Sequence, residues 1–404
     1  MLLKIAWRNL WRTKWRSLII ICSIVIGVVG LVLSDVISIG FLEQMLRNQV
    51  EIHPAHIQIH KKGFHNNPSL DFLIANSDSV ESILGNHPGV AHFSRRVIAY
   101  GLVSSVYNSS GVSIIGIEPS RETQITIVNK SMVRGEYLKD EERSIILSEE
   151  TADKLKLDVG DKVVIMAARR DGTIGSEALR ITGIYKTYDA EFDKTHIFVP
   201  ISVAQEMLLL GRSVSEVVML LNNTEQIDEV KSKLVPQLSQ DLEVLTYNEI
   251  MPMLQYQIEL YDKTIYILYA IIGIAMVFGI INVMLMAVYE RMQEFGILMA
   301  IGMQNRLLFR MVMLEALLLG LTGTVIGLVL GYCIYYPFSV YGIDFSVVSE
   351  TMSSFGVAAV IYPIFKWTII LNVLLSVPLF ALLGAIYPAL KAVRFQPVEV
   401  IRQV

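Results

Sequence analysis

The chain has 404 residues, of which 53% are hydrophobic and only 18% are charged, and its mean hydropathy is +0.50. Soluble domains carry about 25% charged residues, so the apolar excess must be buried in a large core or in lipid. The formal net charge of −4 leaves no basic field suited to nucleic acid. Both cysteines, Cys22 and Cys333, lie in apolar segments, so the polar part of the chain must fold without a disulfide framework.

The N-terminal stretch 1–16 combines basic and aromatic residues at a regular interval. Tryptophan and arginine each recur every four residues, at Trp7, Trp11 and Trp15 and at Arg8, Arg12 and Arg16. Such steps drift by only about 40° around a helix, so the two residue types form neighbouring stripes. A helix lying among cytoplasmic lipid headgroups needs this arrangement. We predict a membrane-interface elbow helix at 1–16; the alternative is a plain basic flank.

Four apolar stretches reach the roughly 17–25 residues that cross a bilayer core of about 30 Å. We predict transmembrane helix 1 with an outer extension at 17–40, helix 2 at 263–288, helix 3 at 311–336 and helix 4 at 367–390. Four nearly uncharged helices in one soluble core are the disfavoured alternative. No small-residue cleavage site follows the first stretch, which favours an uncleaved helix over a signal peptide.

The basic residues predict the orientation. Arginine and lysine are concentrated in 1–16, in the segment 289–310 and in the tail 391–404, whereas the loop 337–366 has only Lys366, near its end. By the positive-inside rule, both termini are expected in the cytoplasm of a multi-pass protein of the cytoplasmic membrane.

The polar region 41–262 has the composition of an extracytoplasmic α/β domain. Strand-like alternation occurs in "HIQIH", "VSIIGI", "KVVIMAA", "ALRITGIY" and "HIFVPI", and helical patterns in "DSVESILGN", "SEETADKLKL", "SVAQEMLLL" and "TEQIDEVKSKLVPQL". Its ends, 41–51 and 253–262, look like helical stalks that continue helices 1 and 2. The predicted fold class is therefore a four-helix membrane protein with a large α/β domain inserted between helices 1 and 2.

Catalytic motifs are absent from the sequence. It has no G-x-x-x-x-G-K-[ST] phosphate loop, kinase motif or nucleophile elbow, so we predict no catalytic residue and no ATP hydrolysis by this chain. A metal site is one interpretation of four histidines that lie close together in the sequence: His53, His56, His60 and His65. In a strand, however, His56 and His60 would lie about 13 Å apart, too far to share one ion. We predict solvated strand histidines and no metal.

The segment between helices 2 and 3, "YERMQEFGILMAIGMQNRLLFR", is the most informative. It is amphipathic and bracketed by Gly296 and Gly302, which suits a rigid cytoplasmic helix that transmits force from a partner; an ordinary loop would need fewer apolar residues. We predict a coupling helix within 289–310. Its candidate residues are Glu290, Arg291, Glu294, Phe295, Gly296, Ile297, Ala300, Gly302 and Arg306.

These residues resemble the signature of FtsX-like permeases, a family that includes MacB-type exporters and lipoprotein-releasing (LolC/LolE-type) permeases. The resemblance rests on "EFGILMAIGM", "LEALLLGLTGTVIGLVLG", "IAWRNLWRTKWRSLI" and "YPALKAVRFQPVEVIR", with further similarity in the outer domain. It implies a dimer with a second copy or a paralogue. It also implies a cytoplasmic ABC ATPase dimer on the coupling helix, with ATP and Mg bound by that partner and no cofactor in this chain. Because the chain begins at the elbow helix, we expect the ATPase to be a separate subunit.

From this resemblance we predict a permease that extracts lipoproteins from the outer leaflet of the inner membrane for delivery to a periplasmic carrier. Two alternatives stay open: export of peptides, antibiotics or other amphiphiles, and regulation of a cell-wall hydrolase without transport. For extraction we expect an apolar substrate cavity between the outer halves of helices 1 and 2 of the two protomers. Its candidates are Val36, Ile37, Phe41, Met45, Tyr256, Leu260 and Ile267.

Three further features carry expectations. In lipoprotein-releasing permeases, one of the two subunits recruits a periplasmic lipoprotein chaperone through a hairpin. The corresponding stretch here is 165–181, with Arg169, Arg170, Asp171 and Gly172 at its turn. It is short and lacks a proline-rich tip, so a plain hairpin is the alternative. Asp35 is expected to be an interfacial charge, and Glu315 is expected to pair with a nearby arginine.

Overall fold

We describe the fold from a computed structural model, which covers residue 8 and residues 14–140, 142–354 and 356–394. The chain forms two compact units. The membrane unit comprises 1–42, 258–344 and 360–404, and the domain unit comprises 43–257 and 345–359. The long segment of the domain unit, 43–257, begins and ends inside long helices.

Within the described residues, the membrane unit contains four long helices: α1 (Lys14–Ile52), α9 (Pro252–Glu290), α11 (Asn305–Tyr341) and α13 (Trp367–Val393). Each is long and apolar enough to cross a membrane, which confirms the four predicted apolar helices. At about 1.5 Å per residue, the 39-residue helices α1 and α9 are far longer than a bilayer core of about 30 Å. Both predicted stalk segments, 41–51 and 253–262, are helical.

A stripe of glycines on α11 packs against α1. A Cβ atom added at Gly323 would lie 2.6 Å from Ile24 Cγ2, and one added at Gly327 would lie 2.6 Å from Val28 Cβ. Gly331 approaches Val32 in the same way, so both helices repeat the contact every four residues. Small residues let transmembrane helices approach closely enough for dense packing. The stripe therefore fixes the register between α1 and α11.

The domain unit contains a ten-stranded mixed sheet within the part of the chain that the structure describes. Along the main path the order is β10-β1-β9-β2-β3-β8-β5-β7-β4, and β6 pairs with both β2 and β7. The pairs β3–β8 and β5–β7 are parallel, and the other pairs are antiparallel. The strands are β1 (Ile57–Lys61), β2 (Val90–Ser104), β3 (Ser109–Ile117), β4 (Met132–Gly135), β5 (Ser144–Ser148), β6 (Lys162–Ala168), β7 (Ile174–Tyr185), β8 (His196–Pro200), β9 (Glu216–Leu221) and β10 (Leu242–Thr246).

Short helices connect these strands and cover the sheet. They are α2 (Ser77–Gly85), α3 (Pro119–Glu122), α4 (Glu149–Leu155), α5 (Ala190–Thr195), α6 (Ile201–Leu208), α7 (Ile227–Leu234) and α8 (Tyr247–Ile250). All five predicted strand segments and all four predicted helical segments coincide with elements of the matching type. The predicted loop after α11 contains β11 (Ile343–Asp344), α12 (Ser349–Ser354) and β12 (Val360–Ile361), and β11 pairs with β12 in the membrane unit.

Candidate functional site

The segment between α9 and α11 forms a short separate helix. α9 ends at Glu290, Arg291 leaves helical geometry with φ −98° and ψ 14°, and α10 (Met292–Ala300) follows directly. α10 ends in a Schellman motif, because Gly302 N donates to Met299 O and Met303 N donates to Leu298 O. Gly302 has φ +100°, a conformation that glycine adopts without strain. Gly302 thus specifies the C-terminal end of this nine-residue helix, and the break at Arg291 separates its N-terminal end from α9.

Arg291 holds this short helix against α11. Its Nη1 donates to Glu315 Oε1 at 2.8 Å and to Oε2 at 3.0 Å, and its Nε donates to Glu294 Oε2 at 3.3 Å. The guanidinium carbon lies 5.1 Å from the centre of the Phe295 ring, which permits a cation–π contact. The Arg291 and Glu315 side chains are only 13% and 12% exposed. The expected pairing of Glu315 with an arginine is confirmed.

The predicted coupling residues lie on α10 and on the segments next to it, and they differ in exposure. Phe295 and Gly296 are buried against the membrane unit, so they cannot contact a partner directly. Ile297 is 53% exposed and Ile301 is 80% exposed, and they lie one helical turn apart. Glu290, Ala300, Gly302 and Arg306 are also exposed. We call Ile297, Ala300 and Ile301 the coupling face, an apolar surface that is exposed in the part of the chain that the structure describes.

The predicted cavity residues do not form one open surface. Val36 and Met45 are buried inside the protein, which corrects their expected place in an open lining: a side chain enclosed within one chain cannot face a cavity between two. Ile37 and Phe41 are half-buried. Tyr256, Leu260 and Ile267 are exposed. Whether one of these residues is buried depends on which face of its helix packs against neighbouring helices. Apolar composition alone does not show which face that is.

Asp35 is buried in the membrane unit rather than placed at the surface. It is 4% exposed, and the hydroxyl of Tyr269 donates to its Oδ2 at 2.6 Å. Among the residues that the structure describes, its Oδ1 has no hydrogen-bond partner. The expectation of a simple interfacial charge was wrong, because a tyrosine on α9 shields the carboxyl group. The pair joins α1 to α9.

In the domain unit, a buried charge cluster holds the end of α1 to the sheet. Arg96 on β2 places Nη2 2.6 Å from Glu122 Oε1 and Nη1 3.2 Å from Glu216 Oε1, and all three side chains are almost wholly buried. Nη1 also donates at 2.6 Å to the carbonyl oxygen of His53, the residue that follows α1. The guanidinium therefore links α3, β9 and the end of α1.

The electrostatics of this cluster are strongly perturbed. Burial by itself raises the pKa of Glu216, but the hydrogen bond with His60 and the charge of Arg96 outweigh it and lower the pKa to about 2. Burial, reinforced by the Arg96 charge, lowers the pKa of His53 to about 3. His60 is buried with Nε2 3.1 Å from Glu216 Oε2, so its expected solvated position was wrong.

His56 also has a structural partner, because its Nδ1 accepts a hydrogen bond from Leu221 N at 2.9 Å. Within the described ranges, no three His, Cys, Asp or Glu side chains are arranged to hold a metal ion.

The hairpin of β6 and β7 is short and packed onto the domain. Arg169 Nε donates to Met207 O at 2.7 Å, so this arginine is bonded within the domain unit. Arg170 is exposed, with Nε 3.8 Å from Asp71 Oδ1. Gly172 has φ +81°, and hydrogen bonds from Thr173 lower the pKa of Asp171. Of the two arginines, only Arg170 is presented outward.

Most of the predicted elbow helix lies outside the described residues. Trp7, Trp11, Arg12 and the side chain of Arg16 are in this group, whereas Arg8 and Trp15 are described and exposed. The tail from 395 to 404 is likewise outside the described residues.

Two family models match the chain in order. The MacB-like periplasmic core domain matches residues 17–237, and the FtsX-like permease C-terminal region matches residues 266–397. The first match alone covers more than half of the chain. The chain belongs to the MacB-type, FtsX-like family of ABC transporter permeases.

Individual relatives come from both branches of this family. The chain is 23% identical over 346 residues to the lipoprotein-releasing system transmembrane protein LolE of Haemophilus influenzae, covering 80% of each chain. It is 25% identical over 384 residues to the macrolide export ATP-binding/permease protein MacB of Campylobacter fetus, covering 88% of this chain and 56% of that one. The solved periplasmic region of MacB from Actinobacillus actinomycetemcomitans aligns with 52% of this chain and 97% of that chain, at 12% identity and a TM-score of 0.38.

Sequence reasoning missed several side chains that organise this permease. Tyr269, the partner of Asp35, looked like one more aromatic residue in an apolar span. Arg96 was missed with the whole of β2, although two arginines inside the strand-like "FSRRVIAY" were an available signal. A charged residue in an otherwise apolar strand needs a buried partner, and that requirement was the usable clue.

Proposed function

We propose that this chain is the permease subunit that extracts lipoproteins from the outer leaflet of the inner membrane and delivers them to a periplasmic carrier. The observation that carries the proposal is the match to a lipoprotein-releasing permease across four fifths of both chains. The membrane unit supports it, since Tyr266, Ile267 and Ile271 on α9 expose large apolar side chains. Such a surface suits acyl chains taken from the bilayer.

In this proposal a separate cytoplasmic ATPase dimer, which binds ATP and Mg, docks on the coupling face. Ile297 and Ile301 supply the apolar contact, and aliphatic side chains of this size gain about 1.5–3 kcal/mol each when fully buried. Movement of α10 passes through the Arg291–Glu315 ion pair into α11. The close packing of Gly327 against Val28 then passes the movement to α1.

α1 completes the proposed route, because its last residues belong to the domain unit. There Arg96 holds the carbonyl group of His53 and ties the end of the helix to β2 and β9. A second copy or a paralogue supplies the other half of the transporter, with both termini in the cytoplasm. We do not propose the β6–β7 hairpin as the binding site of the carrier, because Arg169 already donates a hydrogen bond to Met207 O.

Export of peptides, antibiotics or other amphiphiles is the second candidate. The specific observation in its favour is the match to the macrolide exporter, which covers 88% of this chain. The two functions share the ATPase and the coupling helix. They differ in what the membrane unit binds, which is the lipid anchor of a protein in extraction and a peptide, antibiotic or other amphiphile in export.

Stimulation of ATP hydrolysis tests the substrate class. The permease and its cognate ATPase are reconstituted in proteoliposomes and offered a triacylated lipoprotein, the same protein without its lipid, or a macrolide. We expect the lipidated protein alone to stimulate hydrolysis. Stimulation by the macrolide, and not by the lipoprotein, would transfer the proposal to export.

A matched pair of variants tests the docking face. Ile297→Asp places a charge on the coupling face and should prevent co-purification of the ATPase. Val235→Asp, at an exposed apolar position of the domain unit, should leave co-purification unchanged. Equal retention of the ATPase by both variants would contradict docking on α10.

A further inference from the structure

An apolar groove lies within the membrane unit, between α9 and α13. Its volume is about 380 Å³, within the range of roughly 300–1,000 Å³ that is typical of small-ligand sites. It is separate from the cavity predicted between two protomers, because both of its walls belong to one chain. The residues that carry the argument are Tyr266, Tyr269, Ala270, Asn372, Leu375 and Ser376.

The groove has the length of one lipid leaflet. Its lining on α13 extends from Asn372 to Phe380, which is about 12 Å of helix at about 1.5 Å per residue. Half of a bilayer core of about 30 Å is about 15 Å. These residues lie in the first half of α13, and Ile265 to Ala270 lie in the half of α9 nearest the inserted domain along the chain. In the proposed orientation, this is the outer leaflet.

The lining is uncharged and has two polar positions. None of the lining residues is acidic or basic, which favours a neutral hydrocarbon occupant. Asn372 and Ser376 lie one helical turn apart on the α13 wall. Ser376 Oγ is buried, and it has no hydrogen-bond partner among the described residues. Unpaired hydroxyl groups are costly in hydrocarbon, so this wall is suited to an occupant that carries an amide or ester.

A hydrogen bond to α1 fixes one side chain of the α9 wall of the groove. Tyr269 lines the groove, and its hydroxyl group donates to the buried Asp35 of α1. The ring is thereby fixed by a hydrogen bond that does not depend on any occupant. Tyr266 and Leu375 are exposed at the groove, which leaves it accessible from the surrounding lipid.

We propose that the α9–α13 groove binds one acyl chain of the lipid-modified substrate, with Asn372 and Ser376 contacting the polar linkage of that chain. The inference rests on the proposed function and names a site for part of its substrate. A helix of a second copy, about 10–12 Å across with its side chains, is larger than a groove of about 380 Å³ can hold. A phospholipid of the bilayer has the same hydrocarbon chemistry, so the experiment must separate the two.

Photo-crosslinking in the intact transporter distinguishes an acyl chain of the substrate from a phospholipid of the bilayer. The full-length permease with its ATPase is reconstituted in vesicles with either of two probes: a triacylated lipopeptide carrying a diazirine in one acyl chain, or a phosphatidylethanolamine carrying the same diazirine. After irradiation, the labelled peptides are mapped. We expect the lipopeptide to label 265–270 and 372–380, and excess unlabelled lipopeptide to displace any phospholipid label there. Phospholipid labelling that excess lipopeptide does not reduce would overturn the proposal.

A matched pair of variants adds a second readout. Ala270→Phe fills the groove and should reduce lipopeptide labelling by about tenfold or more, because apolar pockets discriminate strongly by volume. Ala275→Phe makes the same change at an exposed position of α9 outside the lining and should leave labelling unchanged. Equal labelling of both variants would contradict the assigned site, and the wild-type map stands as a test even if one variant fails to fold.

Lipopeptide-stimulated ATP hydrolysis in the same vesicles separates the two proposals. Stimulation without labelling of the groove overturns this site and leaves the proposed function standing. Labelling of the groove without stimulation supports the acyl site and contradicts extraction. The absence of both overturns both.

Discussion

Replacement of Arg96 by methionine should destabilise the domain unit severely. The change leaves Glu122 and Glu216 almost wholly buried without their cation, and it removes the donor to the His53 carbonyl group. Removing one partner of a buried ion pair costs about 3–5 kcal/mol, because the remaining charge is left uncompensated. For a domain of this size, about 1 kcal/mol shifts the melting temperature by about 2–4 °C. We therefore expect a loss of roughly 6–20 °C.

Thermal unfolding of the full-length protein in detergent, with hydrogen exchange followed in β1, β2 and β9, measures this loss. The matched control is Lys233→Met, which breaks an exposed pair whose Nζ lies 2.6 Å from Glu229 Oε1; solvent screens such a pair, so its loss should change the stability little. The triple variant Arg96→Met, Glu122→Gln, Glu216→Gln removes all three charges and should recover most of the stability. If Arg96→Met and Lys233→Met lose equal stability, the assigned role of the cluster is refuted.

Three further predictions concern the coupling helix, the helix packing and the response to pH. Gly302→Ala strains a residue at φ +100° and should lower hydrogen-exchange protection across α10, whereas Gly30→Ala, which meets no neighbouring atom, should not. Gly327→Leu overlaps Val28 and should cost about 1–3 kcal/mol in a detergent melt; a loss no larger than that of Gly30→Leu would count against the α1–α11 packing. The folded-state pKa of His53, about 3, lies below its ordinary value of 6.5, so the stability that this residue contributes is present above about pH 6.5 and is lost as the pH falls towards 3. The melting temperature of His53→Gln should therefore fall less than that of the wild type between these pH values, and parallel curves would exclude His53 as the cause.

The membrane helices and most of the domain could be predicted because their signals are local. Long apolar stretches specify α1, α9, α11 and α13 wherever their neighbours lie. The alternation in "KVVIMAA" coincides with β6, and Gly302 marks the end of α10. The predicted ion pair of Glu315 succeeded for a similar reason: a carboxylate in an apolar helix needs a cation, and arginines were close in sequence.

The features that could not be predicted depend on partners distant in the chain. β2 was missed because two arginines interrupt it, and Arg96 is accommodated only by Glu122, Glu216 and the end of α1. Asp35 was predicted to be an interfacial charge because its partner, Tyr269, comes from another helix and is distant in the sequence. Val36 and Met45 were assigned to a cavity because they are apolar. Only the packed structure shows that they face inward.

Release of a lipoprotein from proteoliposomes tests the central claim most directly. The permease and its ATPase are supplied with a triacylated lipoprotein and a soluble carrier, and lipoprotein in the soluble fraction is measured with and without ATP. The account predicts ATP-dependent release, its loss in Arg291→Glu, and its partial recovery in Arg291→Glu combined with Glu315→Arg, which rebuilds the ion pair that now joins Nη1 to Oε1 at 2.8 Å. Release that does not require ATP, or that persists in Arg291→Glu, would contradict extraction driven through α10.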